Sequence, residues 1–327
     1  MQRAKTLDDF WAMHRRPIGL LHGLPITMKD QFHVKGMGTT MGYVGWIDTF
    51  EGDKASDLKH RAESELVRKL ESLGAIVIAK TTLVQSLWYG ETNNNILGYH
   101  WNPSNQKLSS GGSSGGEGAI QALRGSAVGF ATDIGGSVSM PAACNGVFSI
   151  KPSAGRLPTM DMPNSSLGQI NMPTVVGMLG PSVTTLRYVF EALVSSEPWL
   201  TDPSVLPIPW RQPKRYSKLS FGFMDFDGVV MPHPPILRAL RMTREALQAA
   251  GHEVRTFPYR HLGYEVTVLQ IIPWEGPSLQ EAAAIHVSPS SPSPTPPPSN
   301  PLNPSPPSQW PTATPTSSPA SPSPASP

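Results

Sequence analysis

TDIGGSVSMPAACNG, residues Thr132–Gly146, is the stretch on which the reading of this chain turns. The apolar run Ala127–Thr132 enters it as a strand, and Asp133-Ile134-Gly135-Gly136-Ser137 follows as a tight turn. Two adjacent glycines let the backbone fold back so that successive N–H groups converge on one point. A serine presented there, Ser137, has its hydroxyl beside an anion site. That is what acyl transfer asks of a nucleophile and its oxyanion hole. A second serine-bearing glycine run, GGSSGGEGA at Gly111–Ala119, stands upstream, and a lone lysine lies further back in GLPITMKD at Gly23–Asp30.

A serine hydroxyl is inert unless a neighbouring group takes its proton. Lysine can take it only when neutral, which requires a pKa well below its ordinary ~10.4. Burial depresses a lysine readily, and Lys29 follows the apolar run Leu24–Met28. A lysine, a serine in a glycine nest and a second serine downstream are the parts of a hydrolase that works without histidine.

The surrounding chain reads as α/β. Leu66, Val67, Leu70 and Leu73 fall on one face of a helix over Ser56–Leu73, which Gly74 stops before the buried strand Ala75–Ala79. A short helix over Glu117–Leu123 opens from the first glycine run. Leu219–Met224 and Glu253–Phe257 read as strands flanking an amphipathic helix over Pro235–Ala250, with Leu237, Leu240 and Leu247 on its apolar face and Gly251 as its stop. Alternating helices and short apolar strands imply a mixed β-sheet covered by helices. The segment Ser288–Pro327 has 16 Pro and 12 Ser among its 40 residues, and none is charged. It cannot bury enough apolar surface to offset its ordering entropy and is expected to be a disordered tail, in which PxxP spacings such as Pro289–Pro292 would be the only ligand-like feature.

Composition bounds the function. The 26 basic and 24 acidic residues nearly balance, so no nucleic-acid partner is expected. The single cysteine, Cys144, excludes an internal disulfide and fits a reducing compartment. MQRAKTLDDFWAMHRRP at the N-terminus lacks the apolar core of a secretory signal, and no run is long and apolar enough for a membrane span, so a cytoplasmic protein is expected.

Blander readings compete with the sharp one. Gly111–Gly116 alone is what a flexible linker looks like. It also satisfies G-x-S-x-G, which would make Ser114 the nucleophile of an elbow served by a distant histidine such as His252. The elbow needs a strand immediately before it, and Asn102–Ser110 reads as polar and turn-like. No phosphate-loop or dinucleotide fingerprint is complete, and the histidines have no metal-binding spacing. Cys144 reads as a small packed residue. Trp46, Trp88, Tyr89 and Trp101 suit either a substrate pocket or core packing.

The motifs GLLHGLPITMKDQFHVKG at Gly19–Gly36, ETNNNILGYHWNP at Glu91–Pro103, GGSSGGEGA, and FATDIGGSVSMPAACNGVFSIKPSAGRLP at Phe130–Pro158 agree in order, spacing and flanks with one group of proteins. From about Lys5 to Tyr259 the chain resembles the amidase signature family of serine hydrolases, the group of fungal acetamidases and fatty acid amide hydrolase. The weaker segment HPPILRALRMTREALQAAGHEV at His233–Val254 agrees as well. The resemblance implies Ser137 as acylated nucleophile, Ser113 as a relay following a cis bond at Gly112–Ser113, and Lys29 as the base. It implies an oxyanion hole from the backbone N–H groups of Ile134, Gly135, Gly136 and Ser137, with Asp133 supporting the loop. It implies a small-molecule amide substrate, hydrolysed through an acyl-enzyme to acid and amine or ammonia, with no cofactor and no metal.

The chain departs from the family at three places. Ser139 stands where the family has an arginine, whose link to the loop aspartate would be lost or replaced. The family's N-terminal helical region is longer. Family members also continue for a long stretch beyond the helix at Leu237–Ala250, and here that continuation gives way by about Leu262 to unfamiliar sequence resembling translated intron or shifted-frame sequence. The expected organisation is therefore a partial amidase signature domain over 1–262, a divergent segment over 263–287 and the tail over 288–327. The alternative to an active amidase is an inactive truncated paralogue or a mis-assigned gene fragment.

Overall fold

A computed structural model describes residues 2–256, apart from 166, 167, 170, 213–215 and 227–229. The described residues divide into two units, one ending at Gln212 and one beyond it. The first opens with α1 (Gln2–His14), β1 (Pro25–Lys29), α2 (Glu65–Ser72) and β2 (Ile76–Thr81). Two short antiparallel ribbons follow, β3 (Asn93–Asn94) with β4 (Gly98–Tyr99) and β5 (Trp101–Asn102) with β6 (Asn105–Ser109). Then come α3 (Gly115–Ala122), β7 (Val128–Asp133), α4 (Ser139–Asn145), β8 (Phe148–Ile150), β9 (Val175–Gly180) and α5 (Val183–Ser195).

Five strands form one sheet in the order β2-β1-β7-β9-β8. The first three are parallel, and β9 runs antiparallel to both β7 and β8. The sheet is mixed and carries helices, as the alternation of elements predicts. Side chains alternate across a strand, and in β1 the alternation divides the chemistry. Ile26 and Met28 enter the main core with Phe32, Leu66, Leu70, Val128, Phe130 and Met178. Thr27 and Lys29, on the other face, are equally buried yet polar.

The helix expected over Ser56–Leu73 begins only at Glu65. His60 takes φ +60°, a left-handed value that no helix interior accommodates. Ser64 meanwhile bonds away from the helix, accepting from the His33 N–H and donating to the Asp161 carbonyl. The C-terminal reading holds, with Gly74 at φ +96° ending the element.

In the second unit, β10 (Ser220–Phe223) lies parallel to β11 (Glu253–Thr256), joined through α6 (Pro234–Ala249). Phe221, Phe223 and Leu240 form its small core, with Leu219, Leu247 and Val254 packed against them. The expected tail and the segment from Leu262 lie outside the described residues. Among those described, no helix is long and apolar enough to cross a membrane.

Candidate active site

Because β1 and β7 are parallel neighbours, their last residues, Lys29 and Asp133, stand at the same edge of the sheet. Lys29 is wholly buried. Its Nζ lies 2.7 Å from Ser113 Oγ and 3.2 Å from Thr132 Oγ1. The Thr132 hydroxyl donates to Gln31 Oε1 at 2.6 Å, and Gln31 Nε2 donates to the Pro163 carbonyl at 2.8 Å. With its proton committed to Gln31, Thr132 accepts from Lys29, which leaves the amine aligned on Ser113. Burial brings the Lys29 pKa down to about 7, against the carboxylates of Asp133 and Glu117, which favour the charged form. Near neutrality much of Lys29 is then the free amine, able to accept a hydroxyl proton.

The loop bearing Ser113 is sealed. Every residue from Ser110 to Ala119 is buried, and the Gly112–Ser113 peptide bond is cis, as the family resemblance implies. The loop is held from outside. Thr92 Oγ1 donates to the Gly111 carbonyl and accepts from the Gly115 N–H, both at 2.9 Å. The Val84 N–H donates to the Ser113 carbonyl at 3.3 Å.

The loop bearing Ser137 is held from within. Asp133, fully buried, accepts the Gly136 N–H on Oδ1 and the Val138 N–H on Oδ2, each at 2.7 Å, and the Ser139 N–H at 3.4 Å. Gly136 closes the turn at φ +117°, which only glycine adopts without strain. Burial would push the Asp133 carboxyl up, but the Gly136 and Val138 N–H groups and Lys151 outweigh it and hold it below the usual range. Lys151 Nζ stands 3.2 Å from Asp133 Oδ1. A cation therefore still faces the loop aspartate where Ser139 replaces the family arginine.

Of the four N–H groups expected to line an oxyanion hole, that of Gly136 is turned inward onto Asp133 Oδ1. Among the described residues, the N–H groups of Ile134, Gly135 and Ser137 meet no protein acceptor. Gly135 is exposed, with open space on the side where a Cβ would point.

Several other readings resolve. Cys144 is exposed on α4 rather than packed. Trp88, Tyr89 and Trp101 are 54%, 62% and 50% exposed, so they are not core residues. The stretch before the first glycine run is not a turn throughout, since Asn105–Ser109 forms β6. That strand belongs to a two-stranded ribbon outside the main sheet. Ser114 Oγ is buried without a partner among the described residues, and His252 Nδ1 accepts the Leu219 N–H inside the second unit. The site also contains Thr132, Gln31, Thr92 and Lys151, which the sequence reading missed. Single threonines and a glutamine carry no spacing signal.

The mixed sheet thus brings a buried lysine to the edge where β1 and β7 end, in contact with the first serine-bearing glycine turn and beside the strand that leads into the second. The chain belongs to the Amidase family, whose family model matches residues 1–294. That match extends past the Tyr259 limit of the motifs and past Leu262. The chain is 45% identical to an acetamidase of Emericella nidulans over 271 residues, 80% of this chain and 48% of the relative. An acetamidase of Aspergillus oryzae is 43% identical over 270 residues, again 80% of this chain and 48% of the relative. Among solved structures, one of a fatty acid amide hydrolase superposes with a TM-score of 0.73 at 35% identity, covering 78% of this chain and 44% of that one. The chain spans about half the length of the curated relatives it matches.

Proposed function

We propose that this chain carries the catalytic site of an amidase that hydrolyses a carboxylic amide C–N bond. Ser137 Oγ attacks the amide carbonyl carbon. Its proton passes to Ser113, whose own hydroxyl proton moves to the neutral amine of Lys29. The oxyanion is met by the N–H groups of Ile134, Gly135 and Ser137, on a loop braced by Asp133. The lysine then returns its proton through Ser113 to the leaving nitrogen, the C–N bond breaks, and an ester remains on Ser137. Water resolves that acyl-enzyme by the same relay, giving the carboxylic acid and regenerating the serine.

The observation that supports this reading most is the 2.7 Å contact between Lys29 Nζ and Ser113 Oγ in a fully buried setting. There burial lowers the lysine's pKa to about 7, so a large share of it is free base near neutrality, and its hydrogen-bonding partner is a serine. A fluorophosphonate probe tests it. The folded chain should form one covalent adduct on Ser137, absent after Ser137→Ala. A folded chain that takes no probe would count against this reading and point instead to an inactive paralogue.

A further inference from the structure

Beside Lys29 lies a carboxyl to which the amidase reading gives no task, and any role for it beside the catalytic base rests on that reading. Glu117, on the first turn of α3, is fully buried. Its Oε2 accepts from Thr27 Oγ1 and its Oε1 from Thr81 Oγ1, both at 2.7 Å. Thr27 precedes Lys29 by two residues on β1, and Thr81 is the residue opposite Lys29 on β2. By strand alternation all three share one face of the sheet. On β7 the carboxyl lies over Gly129, where a Cβ would stand 1.9 Å from Glu117 Oε2. Gln121 Nε2 completes the surroundings, donating to Ser126 Oγ at 2.5 Å and to Thr27 Oγ1 at 3.3 Å.

The elements packed here thus turn neutral groups toward Glu117, namely hydroxyls from β1 and β2, an amide from α3 and a bare glycine from β7. The charged groups that share the region are Lys29 and, at the end of β7, Asp133 with its partner Lys151. Lys80, next to Thr81, points to the opposite face and pairs there with Asp30 at 2.9 Å. A buried carboxyl bonded only to neutral donors is costly to ionise. Burial raises it to about 7, against the Thr27 and Thr81 hydroxyls and Lys29, which favour the charged form. Two groups of opposite charge that titrate in one range on one face set each other's proton affinity.

We propose that Glu117, held over Gly129 by Thr27 and Thr81, is a positioning residue that governs the proton occupancy of Lys29. Ionised, it keeps the proton on the amine; protonated, it releases Lys29 as the free base. Glu117 exchanges only its own proton and forms no bond with the substrate.

The test is an NMR titration of the full chain carrying ¹³C-labelled lysine and glutamate, with Lys29→Met and Glu117→Gln assigning the two signals. In Glu117→Gln the Lys29 midpoint should fall by about one pH unit. Reciprocally, the Glu117 midpoint should rise by a similar amount in Lys29→Met, an arm that remains readable if Glu117→Gln does not fold. Relative to its plateau, probe labelling of Glu117→Gln at pH 6 should be several-fold faster than that of the wild type. A Lys29 midpoint unmoved by Glu117→Gln, or a Glu117 midpoint unmoved by Lys29→Met, would overturn this proposal and leave the amidase reading standing. A wild-type Lys29 midpoint near its ordinary value of ~10.4 would overturn both.

Discussion

The two glycine runs have similar compositions and opposite surroundings. Around Ser113 every residue is buried, and the loop is pinned by groups from elsewhere in the chain, chiefly Thr92 and Val84. Around Ser137 the glycine at 135 is exposed, and the loop is pinned by its own aspartate. A relay serine never leaves the protein interior, whereas a nucleophile has to meet an incoming carbonyl. Both serines are buried, Ser113 at 0% and Ser137 at 8% exposure, but only Ser137 lies two residues from an exposed turn, which suits the order the proposed mechanism gives them.

The sharpest way to break that assignment is to remove each hydroxyl in turn. Ser137→Ala should abolish covalent labelling, because no atom remains to be acylated. Ser113→Ala keeps the nucleophile and loses the proton path, so labelling should slow by about 10²–10⁴-fold without vanishing. Intact-mass kinetics would separate the two. Equal residual labelling in both variants would erase the distinction between relay and nucleophile.

Next in size is the internal brace. Asp133→Asn keeps the shape but removes a charge accepting two short N–H bonds, and the labelling rate should fall by about 10²-fold. Stability should fall by about 2–4 kcal/mol at neutral pH. The sign with pH comes from the direction of the shift. A carboxyl held below its unfolded pKa stabilises fully above that value, and its contribution is lost as pH falls through the folded one. The gap between wild type and variant in denaturant midpoint should thus be constant at neutral pH and close below about pH 4.

How much of the molecule is legible in the sequence divides along the same contrast. The Ser137 loop is a local device whose aspartate, glycines and serine lie within five residues, so the string itself displays it. The Ser113 loop is held by residues 19 to 29 positions away, and Lys29 meets Ser113 and Thr132 across 84 and 103 residues. No periodicity marks such partners. Family resemblance singles out Lys29 and Ser113, while Thr132, Gln31, Thr92 and Glu117 become visible only when β1, β2 and β7 stand side by side. The late start of α2 has a similar cause. The apolar spacing at Leu66–Leu73 is genuine, but nothing in the string marks the left-handed backbone at His60.

Of smaller effect is the external pin. Thr92→Val is nearly isosteric and removes both the donor to the Gly111 carbonyl and the acceptor for the Gly115 N–H. Two buried backbone groups lose their partner, so stability should drop by about 1–3 kcal/mol. Labelling should slow by about tenfold as Ser113 drifts from Lys29. A variant as fast and as stable as the wild type would mean that the Ser113 loop holds its shape without outside help.

The smallest effect belongs to the cation that faces Asp133 in place of the family arginine. Lys151 is 42% exposed, and its partner already accepts backbone N–H bonds on both oxygens. Screening by water limits such a pair to about 1 kcal/mol or less, so Lys151→Met should slow labelling no more than about threefold. Ser139→Arg sharpens the point, because it offers the loop aspartate the group found in the family. If Lys151 already fills that role, Ser139→Arg should leave the rate unchanged in the wild-type background and restore it in Lys151→Met. A large gain from Ser139→Arg alone would mean that Lys151 leaves the oxyanion loop slack, and that the self-braced loop depends on a second residue as much as the sealed one does.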